Sequence, residues 1–283
     1  MRERARHNAG NPVDPAAGEI AQDAMDLGLK DKTVIITGGS GGIGRGLVLG
    51  FAAEGAQVVI ATRDGKKAGE VADAASELPG KVSVIATDVT DRDAVKQLAE
   101  QAEREVGPVD VLVNNAGAGK PLPIEAYDAE TLSEICAVNI VAPSLLLKEA
   151  QSALRDSKGA VVNIGTAVSQ NAAPGLAHYA ATKAALEHLT RSWAIELAGD
   201  GVRVNAVSPG PVKSGALTGM MGLPPEVAQT IEETEAAQVP MGRRGLTSDL
   251  VPWILQLGSS ANEWLTAQVI TIDGGWSLRG QTG

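Results

Sequence analysis

The chain has 283 residues, 44% of them hydrophobic and 2% aromatic, with a formal net charge of −10. That length suits one large α/β domain with a core of Val, Ile, Leu and Ala. The negative field repels phosphate, which excludes a broad nucleic-acid or anionic-membrane partner. The single cysteine, Cys136, excludes an intrachain disulfide and a cysteine-rich metal site.

In chain order, residues 1–28 come first. They are polar, carry Pro12 and Pro15, and lack the apolar stretch of a secretory signal. They read as a flexible extension or, alternatively, an arm that packs on a neighbouring subunit. A cytoplasmic location is expected, because no apolar run reaches the ~18 residues of a membrane span. From residue 29 to 283 a βα alternation makes up the domain. KTVIIT, QVVIAT, KVSVIAT, VDVLVNN, GAVVNIG, VRVNAVS and QVITIDG read as strands. Helical segments separate them, including one with Asp91 near its start and one long helix from Ala129 to Leu154 crossed by Pro143. Residues 210–244 read as looser, with a substrate lid at about 213–240. Strands that are apolar throughout, alternating with helices, predict a doubly wound Rossmann-type fold. The expected sheet has seven strands, mostly or fully parallel, with helices on both faces.

The first strand ends in TGGSGGIG, and a helix follows. Gly39, Gly41 and Gly44 fit G-x-G-x-x-G, and Thr37, Gly38, Gly42 and Gly44 fill a second register, T-G-x-x-x-G-x-G. Between a strand and a helix, such a turn presents free backbone N–H groups to a pyrophosphate. No Gly-Lys-Ser/Thr follows, so a nucleotide-triphosphatase loop is not supported. Further on, Tyr179 and Lys183 lie one helical turn apart on the same face. A phenol is a poor base at neutral pH, and a nearby ammonium favours its phenolate. The pair can therefore exchange a proton with a substrate oxygen.

Taken together, TGGSGGIG, NNAG from Asn114, Asn139, YAATK from Tyr179 and the pair Pro209-Gly210 resemble the short-chain dehydrogenase/reductase family in order and spacing. The resemblance spans nearly all of residues 27–278. It implies an oxidoreductase that interconverts a hydroxyl and a carbonyl group with NAD(P), such as a ketone or 3-oxoacyl-type reductase or a secondary alcohol dehydrogenase. Tyr179 would be the acid/base. Lys183 would lower its pKa and bind the nicotinamide ribose, and Asn139 would hold a water of a proton relay. Thr166 stands where the family usually has serine and would bind the substrate oxygen, with Ser169 as a rival. The implied cofactor contacts are Gly38, Ser40, Gly41, Gly42, Ile43 and Gly44 in the turn, then Thr62, Arg63, Asp88 and Val89. Asn115, Ala116 and Gly117 follow, with Pro209, Gly210, Val212 and Ser214 near the nicotinamide. No metal is implied.

The dinucleotide is read from the end of the second strand. NAD enzymes place an acid there. Here the position holds neutral Thr62, followed by Arg63, Lys66 and Lys67, which favours the 2′-phosphate of NADP. Asp64 is the competing selector for NAD. A small-molecule carbonyl or alcohol and a homo-oligomer, dimer or tetramer, are the expected partners. The stripe Ala185, Leu189, Trp193 and Leu197 is a candidate contact face. Met220, Met221 and Leu223 could cover an apolar ligand, and Ala118, Lys120 and His178 line the expected pocket mouth. The reading from another class is a nucleotide-sensing regulator without turnover; an epimerase or dehydratase is the rival among enzymes.

Overall fold

The computed structural model describes residues 26–278. Most of the N-terminal extension lies outside the described residues. Within them, Leu27 packs on the core and its carbonyl accepts a hydrogen bond from Ser259 Oγ at 2.6 Å.

Seven strands form one sheet: β1 (Thr33–Thr37), β2 (Gln57–Thr62), β3 (Lys81–Ala86), β4 (Val111–Asn114), β5 (Ala160–Ile164), β6 (Arg203–Pro209) and β7 (Val269–Ile272). Their order is β3-β2-β1-β4-β5-β6-β7, and every neighbouring pair is parallel, as expected for strands that are apolar on both faces. The chain leaves β1 toward β2 and β3, then returns to lay β4 on the other side of β1. Loops that follow β1 and β4 therefore diverge and leave a crevice at their carboxyl ends.

Two cores follow from the period of two in a strand. Val34, Ile36, Val58 and Ile60 point to the face covered by α1 (Gly42–Ala53), α2 (Gly65–Ala74) and, after six intervening helices, α9. Ile35, Val59, Ala61 and Val161 point to the opposite face, under α3 (Arg92–Glu105) and the helices that follow β4 and β5. Helix α3 starts as the sequence predicts: Asp91 caps it, accepting from Asp93 N at 2.8 Å and Ala94 N at 3.2 Å. Two glycines of α1 serve packing rather than a ligand. A methyl on Gly50 would stand 2.6 Å from Val251, and one on Gly46 3.2 Å from Thr247, so α1 and α9 (Thr247–Gly258) lie close together.

The long helix after β4 is more structured than its sequence suggests. It runs as α4 (Ala129–Cys136), a π turn (Ala137–Val141) and α5 (Ala142–Ser157). One 18-residue window of it has a mean hydropathy of 1.4, enough by length and composition alone to cross a membrane. In this fold Leu146, Leu147, Ala150 and Leu154 bury it against the sheet. After β5 comes α6 (Ala177–Leu197). Its expected contact stripe is divided: Leu197 is in the core and Trp193 packs against it, Ala185 and Leu189 are half-buried outside the core clusters, and Ile195 is 73% exposed. The stretch read as loose contains α7 (Ala216–Gly219) and a full helix, α8 (Pro225–Gln238). Arg244, buried to 5%, ties α8 down through ion pairs to Glu232 and, at 3.1 Å, Glu235.

Candidate active site at the strand ends

A cleft of about 790 Å³ opens where the fold requires it, across the carboxyl ends of β1, β2, β4, β5 and β6. Its floor at one end is the glycine turn. Gly38 has φ +68°, a left-handed conformation that glycine adopts without strain. The turn is stitched to β4 by Asn115, whose Nδ2 donates to Thr37 O at 2.9 Å and Gly38 O at 3.1 Å. In return Thr37 Oγ1 accepts from Asn115 N and Ala116 N, both at 3.0 Å.

The turn fits a dinucleotide pyrophosphate. Helix α1 has no side-chain cap and no acid in its first turn, so its leading N–H groups keep their partial positive charge. A methyl added to Gly41 would meet no protein atom within 4 Å, whereas one on Gly44 would lie 2.2 Å from Gly38 O. The first glycine borders open space and the last permits the tight turn. Ser40, Gly42 and Ile43 also line the cleft. Ser214 closes over the turn: a methyl on Gly42 would stand 2.7 Å from Ser214 O.

At the next strand, Thr62 is 9% exposed and its Oγ1 lies 3.3 Å from Ser40 Oγ. Asp64 caps α2, accepting from Lys67 N at 3.0 Å and facing Lys67 Nζ at 3.3 Å. The Lys67 backbone N–H holds its carboxyl below the usual range. Arg63 borders the cleft and is largely exposed, 3.8 Å from Asp88 Oδ2. Asp88 lies between two residues that line the cleft, Thr87 and Val89. Asp88 Oδ1 is taken by Thr90, from Oγ1 at 2.7 Å and N at 2.9 Å. Those two bonds keep the carboxylate ionised below its ordinary range.

Tyr179, Lys183 and Thr166 come together at the other end. Lys183 is 3% exposed and donates to Ile164 O at 2.8 Å. Burial lowers its pKa to about 8, and the charge of Glu187 opposes that fall. Burial also raises the Tyr179 phenol above its ordinary value, and a hydrogen bond with the Thr166 side chain opposes the rise. Desolvation is the larger of the two causes, and the Lys183 ammonium is turned to the Ile164 carbonyl. Thr166 faces the cleft. Ser169, its rival, does not, because its hydroxyl lies between Thr166 O at 2.6 Å and Glu187 Oε1 at 2.8 Å.

Asn139 sits in the π turn, fully buried behind the cleft rather than lining it. Its amide donates to Ala118 O at 2.8 Å and Thr182 Oγ1 at 2.9 Å, and Oδ1 accepts from Ala118 N at 2.9 Å. Both donors are used, so a water could meet only the remaining lone pair of Oδ1 or the main-chain carbonyl. The amide clamps the loop after β4, where Gly117 lies beneath Lys183: a methyl there would be 3.5 Å from Nζ. Pro209, Gly210 and Val212 line the far wall with Ala116 and Gly117. Met220 and Met221, just after α7, line it too, joined by Trp276, while Leu223, Lys120 and His178 stand outside it. His178 instead stacks edge-on with Tyr127, centroids 4.6 Å apart. Glu187 and Trp276 are site features that sequence reasoning missed. No cluster able to hold a metal exists among the described residues.

Comparison with known proteins agrees with this geometry. The family model described as enoyl-(acyl carrier protein) reductase matches residues 38–277. The 3-oxoacyl-[acyl-carrier-protein] reductase FabG of Thermotoga maritima is 36% identical over 87% of this chain and 98% of its own. A short-chain dehydrogenase/reductase from Caenorhabditis elegans, solved with cofactor, is 35% identical with a TM-score of 0.84, over 89% of this chain and 98% of its own. A 3-ketoacyl-(acyl-carrier-protein) reductase from Brucella melitensis, complexed with NADH, is 30% identical with a TM-score of 0.79, over 88% and 99%. With its parallel seven-stranded sheet, its glycine turn and its buried Tyr179 and Lys183, this chain belongs to the short-chain dehydrogenase/reductase family of oxidoreductases.

Proposed function

We propose that the chain reduces a ketone to a secondary alcohol, or reverses that reaction, with NADPH as its preferred dinucleotide. The observation that carries this reading is the buried phenol of Tyr179, which lines the same cleft as Thr166, Lys183 and the glycine turn. The dinucleotide supplies or accepts the hydride when bound. The chain's own residues position the substrate and move the proton. A phenol held above its ordinary pKa is protonated at neutral pH, which suits donation to a carbonyl oxygen. Thr166 is placed to share that oxygen, and Lys183 supplies positive charge beneath it. Carbonyl reduction places growing negative charge on the oxygen, and preorganised donors favour it. The substrate class we favour is a 3-oxoacyl-type ketone. Met220, Met221 and Trp276 give the pocket an adaptable apolar wall, and the Thermotoga relative is named for that reaction. Residues 213–240 act as the lid. Homo-oligomeric assembly in the cytoplasm completes the proposal, with Ile195, Trp253 and Trp264 as exposed apolar side chains available for contact. Following nicotinamide absorbance against a panel of 3-oxoacyl thioesters, cyclic ketones and sugar ketones tests the substrate class.

Two variants probe the details. Thr166→Ser keeps the hydroxyl and should keep turnover within a few fold. Thr166→Val removes a hydrogen bond to a developing charge and should lower kcat by about 10²-fold. Similar kcat for both in steady-state assays would contradict the assignment. Preference for NADP rests on neutral Thr62 beside exposed Arg63, while Asp64, which also lines the cleft, caps α2 through Oδ1. Thr62→Asp should reverse the ratio of kcat/KM between NADPH and NADH, since a carboxylate repels the 2′-phosphate and accepts from ribose hydroxyls. A wild-type chain that favours NADH would contradict it.

A further inference from the structure

Helix α8 is held to the body by charge more than by apolar packing. Its inward stripe runs through Ala228, Glu232 and Glu235, with Val239 just past its end. Ala228 and Val239 are buried. The two positions between them, where a docked helix ordinarily carries apolar residues, hold carboxylates, and both meet Arg244. A guanidinium removed from water, as this one is, is costly unless its donors find partners. The planar fork of Arg244 divides them. Nη1 meets Glu232, Nε lies 3.1 Å from Glu235, and Nη2 donates to Val212 O at 2.9 Å. One side of the arginine thus belongs to the lid helix and the other to the loop after β6.

That loop covers the glycine turn. Val212 O accepts a second bond, from Ser214 N at 2.9 Å, and Ser214 O lies against Gly42. The main chain beside Arg244 is fixed to the same loop: Gly245 N donates to Pro211 O at 2.8 Å, and Gly245 O accepts from Lys213 N at 2.9 Å. Glu235, Arg244, Val212 and Ser214 all line the cleft. The ends of α8 suit a hinge. Gly222 and Gly242 have φ +66° and +74°, and a methyl on either would meet nothing within 4 Å, so glycine serves the backbone there rather than packing. We infer that Arg244 is a positioning residue that couples the lid to the dinucleotide cradle: with α8 down, Glu232 and Glu235 aim its guanidinium at Val212 O and so fix the Val212–Ser214 loop over the glycine turn. This rests on the reading of residues 213–240 as the lid and of the turn as the dinucleotide site. Without the two acids the loop keeps its own turn but loses its tie to α8. Coupling is reciprocal, so a dinucleotide held under Ser214 in turn favours the closed lid.

The test needs no turnover. Hydrogen exchange of the full-length chain is read by mass spectrometry with and without saturating NADPH. In wild type, NADPH should slow exchange about ten-fold both in residues 212–216 and in 225–238, a usual size for coupling between sites. The double variant Glu232→Gln with Glu235→Gln keeps the size of the side chains and removes both charges. NADPH should still protect 212–216 there, while its protection of 225–238 disappears and its Kd by calorimetry rises about ten-fold. A purely structural role would raise exchange in 225–238 with or without NADPH and leave the change that NADPH induces as it was. Should the double variant fail to fold, Arg244→Lys is read instead. It keeps a charge for the acids, but its single ammonium cannot fork between them and Val212 O, so the same loss of NADPH-induced protection is expected. Undiminished protection of 225–238 in the folded variant, or none in a wild-type chain whose 212–216 NADPH does protect, overturns the inference. A wild-type chain in which NADPH protects no segment overturns the dinucleotide reading, and the coupling with it. Coupled protection in a chain that reduces no ketone leaves the role of Arg244 standing and overturns the proposed reaction instead.

Discussion

Tyr179→Phe is expected to lower kcat by about 10²–10⁴-fold, the usual worth of a positioned acid or base, while the Kd for NADPH stays close to wild type. The ring is 9% exposed and packs against the loop after β4: a methyl on Gly119 would lie 2.8 Å from Tyr179 Cδ2. Phenylalanine fills the same space, so the fold and the dinucleotide cradle persist. Only the hydroxyl leaves, and with it the hydrogen bond to Thr166 and the proton donor. Steady-state assays with a reduced substrate, beside calorimetric titration of the dinucleotide, separate the two effects. Loss of affinity in parallel with kcat would mean that Tyr179 serves binding rather than proton transfer.

The second large effect is expected at Gly44. A methyl there would stand 2.2 Å from Gly38 O, 2.6 Å from Asn115 Nδ2 and 2.9 Å from Gly39 Cα. Two of these are backbone atoms of the turn itself, and the third is the side chain that stitches it to β4. None is the far end of a flexible chain, so the turn must open. Overpacking of this kind costs about 1–3 kcal/mol or more, a large part of the ~5–15 kcal/mol that holds a domain folded. Gly44→Ala should therefore lower Tm by several degrees and abolish measurable dinucleotide binding. Gly41→Ala makes the control. Its methyl meets no protein atom within 4 Å, so Tm should hold while affinity for the dinucleotide falls. Equal melting curves for Gly44→Ala and wild type would mean that the turn is not built as described.

Strand positions were legible because burial on both faces leaves almost uninterrupted Val and Ile runs; QVVIAT matches β2 residue for residue. Asp91 was legible as a cap for a local reason, its carboxylate reaching two N–H groups within its own turn. Helix α8 was not. Pro224 precedes it, Pro225 opens it and of its residues only Ala228 is buried, so almost no apolar period marks it. The π turn was hidden as well: it adds one residue within a helix, and no residue type in AVNIV marks the insertion. Asp88 reads as a cofactor contact from its place after β3; the bond its Oδ1 accepts from the Thr90 hydroxyl, two residues on, is a detail the sequence does not announce. Glu187 looks in sequence like one more charge on a helix. Its burial depends on Ser169 and Ser208, which two other strands bring to it, and no local pattern carries that information. The same holds for the direction of the Tyr179 pKa. The spacing to Lys183 is visible in sequence, whereas the desolvation of the phenol belongs to the assembled cleft.

The central claim is hydride transfer between a nicotinamide dinucleotide and a carbonyl carbon, with Tyr179 as proton donor. It is tested most directly with NADPH deuterated at the nicotinamide C4 and a 3-oxoacyl thioester, the alcohol product being read by mass spectrometry and NMR. The account predicts one deuterium on the carbinol carbon for wild type, and a signal reduced by about 10²-fold or more at equal times for Tyr179→Phe. Tight binding of the dinucleotide with no deuterium in any alcohol, across the thioester and the wider ketone panel, would contradict it and leave a nucleotide-sensing protein in its place.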